Sequence, residues 1–187
     1  RYASRVEKGM HRGKIMNRQS EVVAERDLRP EDRAILGQWT RTLFGSAEDM
    51  YEWATPDWRV LVRADGQLVA HAAINQRTVS ANGEPARVGG IGGVMAPAEF
   101  QGKGHAKAAM LRAHDFIRET LNLEFGFLLC SARLVPYYQR LGWERIDGPV
   151  SFAQDDSDVT WQEEAMVLPF SDRLWPGPPV DLNGPPW

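Results

Sequence analysis

A chain of 187 residues, 43% hydrophobic and 25% charged, is long enough to bury a sizeable core and reads as one globular domain. Its net charge of -3 gives no bulk attraction for nucleic acid, and no apolar run is long enough to cross a bilayer. One cysteine, Cys130, excludes a disulfide within the chain and points to a reducing, cytoplasmic setting.

Residues 1–19 are polar and basic and read as an N-terminal extension without the apolar stretch of a secretory signal. The main domain is expected over 20–170. "SEVVAER" (Ser20–Arg26) reads as its first strand. "RPEDRAILGQWTRTLFG" reads as a helix: Pro30 suits the first position, Glu31 and Asp32 suit the positive end of the dipole, and Gly45 suits the stop. Ile35, Trp39 and Leu43 then share one face. Asp65-Gly66 and Asn82-Gly83 each stand between strand-like runs. Both pairs tolerate positive φ, so they predict a three-strand antiparallel meander.

A second helix is expected over "HAKAAMLRAHDFIRETLNL", with Met110, Ala113, Ile117 and Leu121 along one stripe. "FGFLLC" (Phe125–Cys130) is a continuous apolar run, as in a strand covered on both faces, and Cys130 reads as part of that packing. A short helix, "RLVPYYQRL", stops at Gly142. "WERI" and "EAMVLPF" supply two more strands. Ile146 to Asp172 carries seven acids and no Lys or Arg, either a solvated face or a surface for a cationic ligand. The Pro- and Gly-rich tail, 171–187, ends on Trp187, a costly residue to leave in water, and is expected to dock.

"GGIGGVMAPAEFQGKGHA" (Gly89–Ala106) concentrates six of the chain's glycines at a strand and the turn after it. In "QGKGHA" (Gln101–Ala106), Gly102 and Gly104 permit unusual φ, so successive amides can face one anion at the start of the following helix. That arrangement suits a pyrophosphate. Glycine inside the preceding strand signals a bulge or the close approach of another group.

The element order resembles the GNAT (GCN5-related N-acetyltransferase) superfamily from about Glu21 onward. The loop Gln101-Gly102-Lys103-Gly104-His105-Ala106 and the trio Tyr138, Gly142 and Trp143 match its two markers. The resemblance implies an α/β (α+β) fold, with a mixed, mostly antiparallel central sheet of about six to seven strands flanked by helices. Within the superfamily, "AHAAI" (Ala70–Ile74), "SAR…YxxxGW" (Ser131–Trp143) and the terminal Trp resemble the aminoglycoside 2′-N-acetyltransferases. "WPGPPVDLNGP" resembles the end of the nodulation N-acyltransferases.

What this implies is acetyl transfer from acetyl-CoA to a primary amine of a small cationic molecule, an amino sugar such as an aminoglycoside, by direct attack on the thioester. Tyr138 is the expected general acid for the leaving thiolate, with position mattering more than acidity, since a phenol titrates near 10 and a thiol near 8.5. Val94 and Ala96, with Met95 between them, would offer main-chain N–H groups to the pantetheine and the thioester. Gln101, Gly102, Lys103, Gly104, His105 and Ala106 would hold the pyrophosphate.

The aminoglycoside relatives keep a glutamate base where this chain has Gly92. The substitutes to weigh are a backbone-held water, the acids Glu48, Asp49 and Glu52, and the Trp187 carboxylate. These residues form the expected acceptor site. His71 reads as a structural hydrogen-bonder and Tyr137 as packing. No Cys/His cluster has metal-ligand spacing, and neither a nucleic-acid nor a membrane partner is expected. A homodimer is left open. Two other readings stay beside this one: a longer acyl donor with an amino-sugar acceptor, and a non-catalytic coenzyme A-binding regulatory domain.

Overall fold

Asp65-Gly66 and Asn82-Gly83 take φ of 49° and 84°, and of 50° and 78°, the paired positive values that a two-residue hairpin turn requires. They join three long strands, β3 (Trp58–Ala64), β4 (Gln67–Ala81) and β5 (Glu84–Met95). The computed structural model describes residues 2–11, 14–45, 50–155 and 157–187, with side chains from Asn17 onward. Glu48 and Asp49, two of the expected acceptor-site acids, lie outside the described residues.

The chain divides into two units, and both β4 and β5 run through the two. Unit one holds Arg1–Asp49, Pro56–Ile74 and Gly93–Phe116. In it, β1 (Tyr2–His11) pairs antiparallel with β2 (Lys14–Ala24), and β2 pairs with β3 from Arg18↔Ala64 to Ala24↔Trp58. Residues 2–11 and 14–19, within the stretch expected as an extension, form β1 and the first half of β2. The outer strand of a sheet needs no apolar face, so a polar sequence gives no strand signal there.

Helix α1 (Pro30–Leu43) starts on Pro30 as expected, but its buried stripe is rotated. Asp32 and Leu36 are buried, Ile35 and Trp39 are half-buried, and Leu43 stays 39% exposed. The rotation follows from Asp32, whose carboxylate receives two 2.7 Å bonds from Arg63 of β3. Leu36 joins Val23, Leu28, Leu61, Leu68 and Met95 in the core of this unit. Each such side chain contributes about 1.5–3 kcal/mol on burial. Helix α2 (His105–Asp115) continues into a π turn over Phe116–Thr120.

Unit two holds Met50–Thr55, Asn75–Gly92 and Ile117–Trp187. Strand β6 (Phe125–Cys130) runs parallel to β5, while β10 (Glu164–Pro169) runs antiparallel to both β6 and β7 (Glu144–Arg145). β8 (Val150–Gln154) and β9 (Ser157–Thr160) form a hairpin, and β11 (Val180–Asp181) lies between β8 and β4. Helix α3 is Val135–Gln139. Phe125, Phe127, Phe152, Val167 and Trp187 lie in one apolar core. The described residues give eleven strands, more than expected. Those not expected are β1, two in the acid-rich stretch (β8, β9) and a two-residue strand in the tail (β11); β1 and β9 are polar, and β8 is a short apolar alternation next to the acids. The mixed α/β character is as expected.

Candidate active site

In unit one the cradle forms at the start of α2. Gly102 and Gly104 both take left-handed φ, 72° and 75°, and Gly104 is the residue immediately before the helix. The first intrahelical bond into α2 runs from the Ala108 N–H to the Gly104 carbonyl, at 3.1 Å. The amides of His105, Ala106 and Lys107 precede it, at the positive end of the dipole. A Cβ on Gly102 would meet nothing within 4 Å, so the space beside it is open. Gln101 and Lys103 turn back on the loop: Gln101 Nε2 donates to the Ala96 carbonyl at 2.9 Å and Lys103 Nζ to the Glu99 carbonyl at 2.8 Å. Their side chains thus brace the loop. The His105 ring is 2% exposed, and its Nδ1 has no partner among the described residues. Burial, then Arg18 and Lys103, lower its pKa. A Gly-lined, cation-flanked turn ahead of a helix fits a pyrophosphate of coenzyme A.

β5 leads into this loop. Its parallel register with β6 covers three pairs only, Val88↔Phe125, Gly89↔Gly126 and Gly90↔Phe127. Both strands continue past the last pair, β6 with Leu128 to Cys130 paired to β10. No further β5–β6 pair follows Gly90↔Phe127 among the described residues. Met95 turns its side chain into the core of unit one, 2% exposed, while Val94 and Ala96 alternate to the other side and stay half-buried. At Gly93 the backbone takes φ +52° inside the strand. The Gly93 carbonyl is 2.7 Å from Nδ1 of His71, which is fully buried.

In unit two the Tyr-x-x-x-Gly-Trp signature has a local cause. The Trp143 N–H reaches back to the Tyr138 carbonyl at 3.2 Å and the Gly142 N–H to the Gln139 carbonyl at 3.0 Å. These are the paired bonds of a Schellman turn, which needs the left-handed residue that Gly142 supplies at φ +90°. Trp143, 2% exposed, packs edge-on to Tyr138 at 6.3 Å between centroids, and Gly126 leaves room for its ring. Tyr138 is 5% exposed. Burial, and then the neighbouring Cys130 and Tyr137, raise its pKa, so the phenol keeps its proton throughout the neutral range. Tyr137 is held by packing against it, with ring centroids 5.1 Å apart.

Two glycines of "GGIGG", Gly90 and Gly92, are shaped by the tail. A Cβ at Gly90 would lie 2.1 Å from the Trp187 indole, and one at Gly92 would lie 2.6 Å from the Trp187 main-chain carbonyl carbon. Gly92 therefore carries no side chain for a steric reason: the backbone of Trp187 stands where its Cβ would be. The indole, 6% exposed, is 3.4 Å through Nε1 from the Phe127 carbonyl, at the last β5–β6 pair. Arg77, which sequence reading missed, stacks over it at 4.9 Å and donates to the carbonyls of Pro185 and Leu182. No spacing links Arg77 to the tail, so only the fold reveals the pair.

Glu52 is exposed; its main chain is held on both sides by Gln154, at 2.7 and 2.9 Å, and Ala54 N–H donates to the Pro186 carbonyl at 2.7 Å. The expected site residues thus fall into two groups. Val94, Met95, Ala96 and Gln101–Ala106 belong to unit one; Tyr138, Gly92, Glu52 and Trp187 belong to unit two.

Cys130 is buried, and that burial, helped by Glu164 and Glu163, pushes its thiol up to about 11. It is a packing residue, as expected. Among the described residues no group of three or more His, Cys, Asp or Glu could hold a metal ion, and no helix is long and apolar enough to cross a membrane.

Known proteins share this frame. The fold matches a GNAT family N-acetyltransferase (YhbS) from Escherichia coli solved in complex with CoA, at a TM-score of 0.57 and 16% identity over 88% of this chain and 89% of that one. It matches a GNAT family acetyltransferase from Brucella melitensis, in complex with acetyl-CoA, at 0.55 and 18% over 86% and 94%. An acyl-CoA N-acyltransferase from Pseudomonas aeruginosa matches at 0.56 and 18% over 81% and 99%. The family pattern described as acetyltransferase (GNAT) domain matches residues 34–146. The chain belongs to the GNAT family of N-acetyltransferases.

Proposed function

We propose that the acceptor is a primary amine on a small cationic molecule, an amino sugar of the aminoglycoside kind. The observation that carries this reading is the contact of Gly90 and Gly92 with Trp187. It sets the Trp187 main-chain oxygen 2.9 Å from where a Gly92 Cβ would lie, at a half-buried position of β5. A main-chain acceptor oxygen suits the ammonium of such an acceptor. The exposed acid Glu52 on the clamped 50–55 loop and the acid-rich Ile146–Asp172 stretch add attraction for a cation.

Acetyl-CoA supplies the activated acyl group when bound. The chain's own residues then have distinct tasks. The amides ahead of α2 hold the pyrophosphate, and the Val94 and Ala96 N–H groups orient the pantetheine and the acyl carbonyl oxygen. Tyr138, which keeps its proton at neutral pH, donates it to the departing sulfur. With Gly92 in place of a glutamate, proton removal from the amine falls to water held by main-chain oxygens, with Glu52 and Trp187 as the other groups of the acceptor site. An ammonium that titrates near neutrality needs little help from a base.

The test is thiol release from acetyl-CoA with aminoglycosides, polyamines and amino acids as acceptors, repeated with longer acyl-CoA donors. Turnover restricted to amino sugars supports the proposal. A preference for longer donors favours the N-acyltransferase reading, and binding without turnover on any amine favours a regulatory coenzyme A domain.

A further inference from the structure

The ring of His71 is fully buried in the middle of β4, a costly place for a group that can charge, and no catalytic step described above uses it. Its two nitrogens have different partners. Nδ1 is 2.7 Å from the Gly93 carbonyl, which can only accept; Nε2 is 3.3 Å from Nη1 of Arg59, which can only donate. One state satisfies both: neutral imidazole with its proton on Nδ1. Arg59 is in turn held by Glu25 at 2.5 Å, and Glu25 by Arg33 at 2.5 Å. A rigid relay thus runs from α1 through β3 to a single carbonyl of β5.

That carbonyl is where β5 kinks. Gly93 takes φ +52° inside the strand, which turns the peptide units on either side out of regular register. A Cβ there would lie 3.5 Å from Cε1 of the same ring, so His71 packs under the kink as well as bonding to it. The next residues are Val94, Met95 and Ala96.

We propose that His71 is a positioning residue for the acyl-CoA strand: its Nδ1–H anchors the Gly93 carbonyl and so sets the direction in which the Val94 and Ala96 amides point. This rests on reading Val94–Ala96 as the pantetheine-binding segment. A left-handed glycine has shallow alternatives, and without the anchor the segment samples several orientations. The anchor removes that freedom before binding, which improves acetyl-CoA affinity and leaves the acceptor site alone. Strong depression of the ring's basicity by burial, then by Arg59, keeps it neutral and agrees with the assigned tautomer.

The experiment pairs two substitutions. In His71→Asn the amide nitrogen replaces Nδ1 and can still donate to Gly93; in His71→Gln the amide reaches toward the Nε2 position and cannot. Expected are a near-normal acetyl-CoA KM for His71→Asn, a KM raised about tenfold for His71→Gln, and an unchanged amine KM in both. In the wild-type protein, 15N NMR should find His71 neutral with its proton on Nδ1. A proton on Nε2, or the same acetyl-CoA KM in the wild type and His71→Gln, overturns the inference. A merely structural histidine would instead lower the folded fraction, and so kcat, equally in both variants at constant KM, which also overturns it. Calorimetry with acetyl-CoA on the wild type separates the two levels: no binding sinks the reading of β5 itself, whereas binding with unaltered His71→Gln affinity sinks only the role of His71. Should neither variant fold, the tautomer measurement decides alone.

Discussion

Gly90 and Trp187 are sterically matched: the indole stands 2.1 Å from where any Cβ on residue 90 would be, inside the distance that real side chains tolerate. The ring cannot slide aside easily. It is stacked under Arg77 at 4.9 Å and packed edge-on to Phe127 at 5.8 Å. Gly90→Ala should therefore cost about 1–3 kcal/mol through overpacking. For a chain of this size that is a fall of roughly 2–12 °C in Tm. The same substitution should expose the tail to limited proteolysis. Gly92→Ala meets main-chain carbon at 2.6 Å, so relief requires the tail to move. It should raise the amine KM while the acetyl-CoA KM holds. An acceptor KM indifferent to Gly92→Ala would remove Trp187 from the acceptor site.

Tyr138→Phe retains the ring that packs edge-on to Trp143 and removes only the hydroxyl. If that hydroxyl protonates the leaving thiolate, kcat should fall about 10²–10⁴-fold, the usual worth of a positioned general acid, with acetyl-CoA affinity preserved. Burial holds the phenol's pKa above its ordinary value, so the basic limb of the pH–rate profile should not come from this residue below about pH 10. Full turnover in Tyr138→Phe would leave the tyrosine a packing role beside the Schellman turn.

The turns and the cradle were legible because each rests on backbone conformations that few residues adopt. Asp65-Gly66, Asn82-Gly83, Gly102, Gly104 and Gly142 all take the positive φ that their types suggested. "FGFLLC" was legible as a strand because burial on both faces leaves a continuous apolar run. The glycines of "GGIGG" announced close approach but not what approaches. Gly89 makes room for Ile117 and Gly90 and Gly92 for Trp187, and neither partner can be named from local pattern. Polar strands were the least legible. β1 carries no apolar alternation, and β8 and β9 lie in a stretch whose acids resemble a loop. His71 read correctly as a hydrogen-bonder, but its partners lie on β3 and the far end of β5.

Stability should fall in mild acid, with His71 as a main cause. Its ring is held down to about 3 in the folded chain, first by burial and then by Arg59, whereas an unfolded histidine titrates near 6.5. Between those values the unfolded state binds the extra proton, so unfolding becomes easier as pH drops through that window. One group contributes at most about 1.4 kcal/mol per pH unit, or roughly 2–3 kcal/mol between pH 6.5 and 4.5. Glu25, Asp32 and Glu124 have lowered pKa values and add a loss of the same sign at lower pH. Urea unfolding of the wild type and His71→Asn at pH 7.0 and 4.5 isolates the histidine. The variant should lose about 2 kcal/mol less over that interval; an equal loss would mean that the ring takes up its proton while folded.

Asp32 separates two magnitudes. Its place in the first turn of α1 suggests a dipole-complementing acid, worth about 0.3–1 kcal/mol at a surface. The structure gives it more to do. The carboxylate side chain is 4% exposed, receives Arg63 Nη2 on both oxygens at 2.7 Å, and receives Arg29 Nε at 2.9 Å. Removing one member of a buried pair strands the other charge, at a cost of about 3–5 kcal/mol. Arg63 keeps a weaker contact to Glu21 at 3.7 Å, which places the expected loss at the low end, near 3 kcal/mol. Asp32→Ala should thus lose about 3 kcal/mol in denaturant unfolding. Arg63→Ala should lose less, because its side chain is 16% exposed and its removal leaves Asp32 still bonded to Arg29. The double variant should recover part of the sum, with a coupling of roughly 1–3 kcal/mol. A loss below about 1 kcal/mol for Asp32→Ala would return Asp32 to the dipole role.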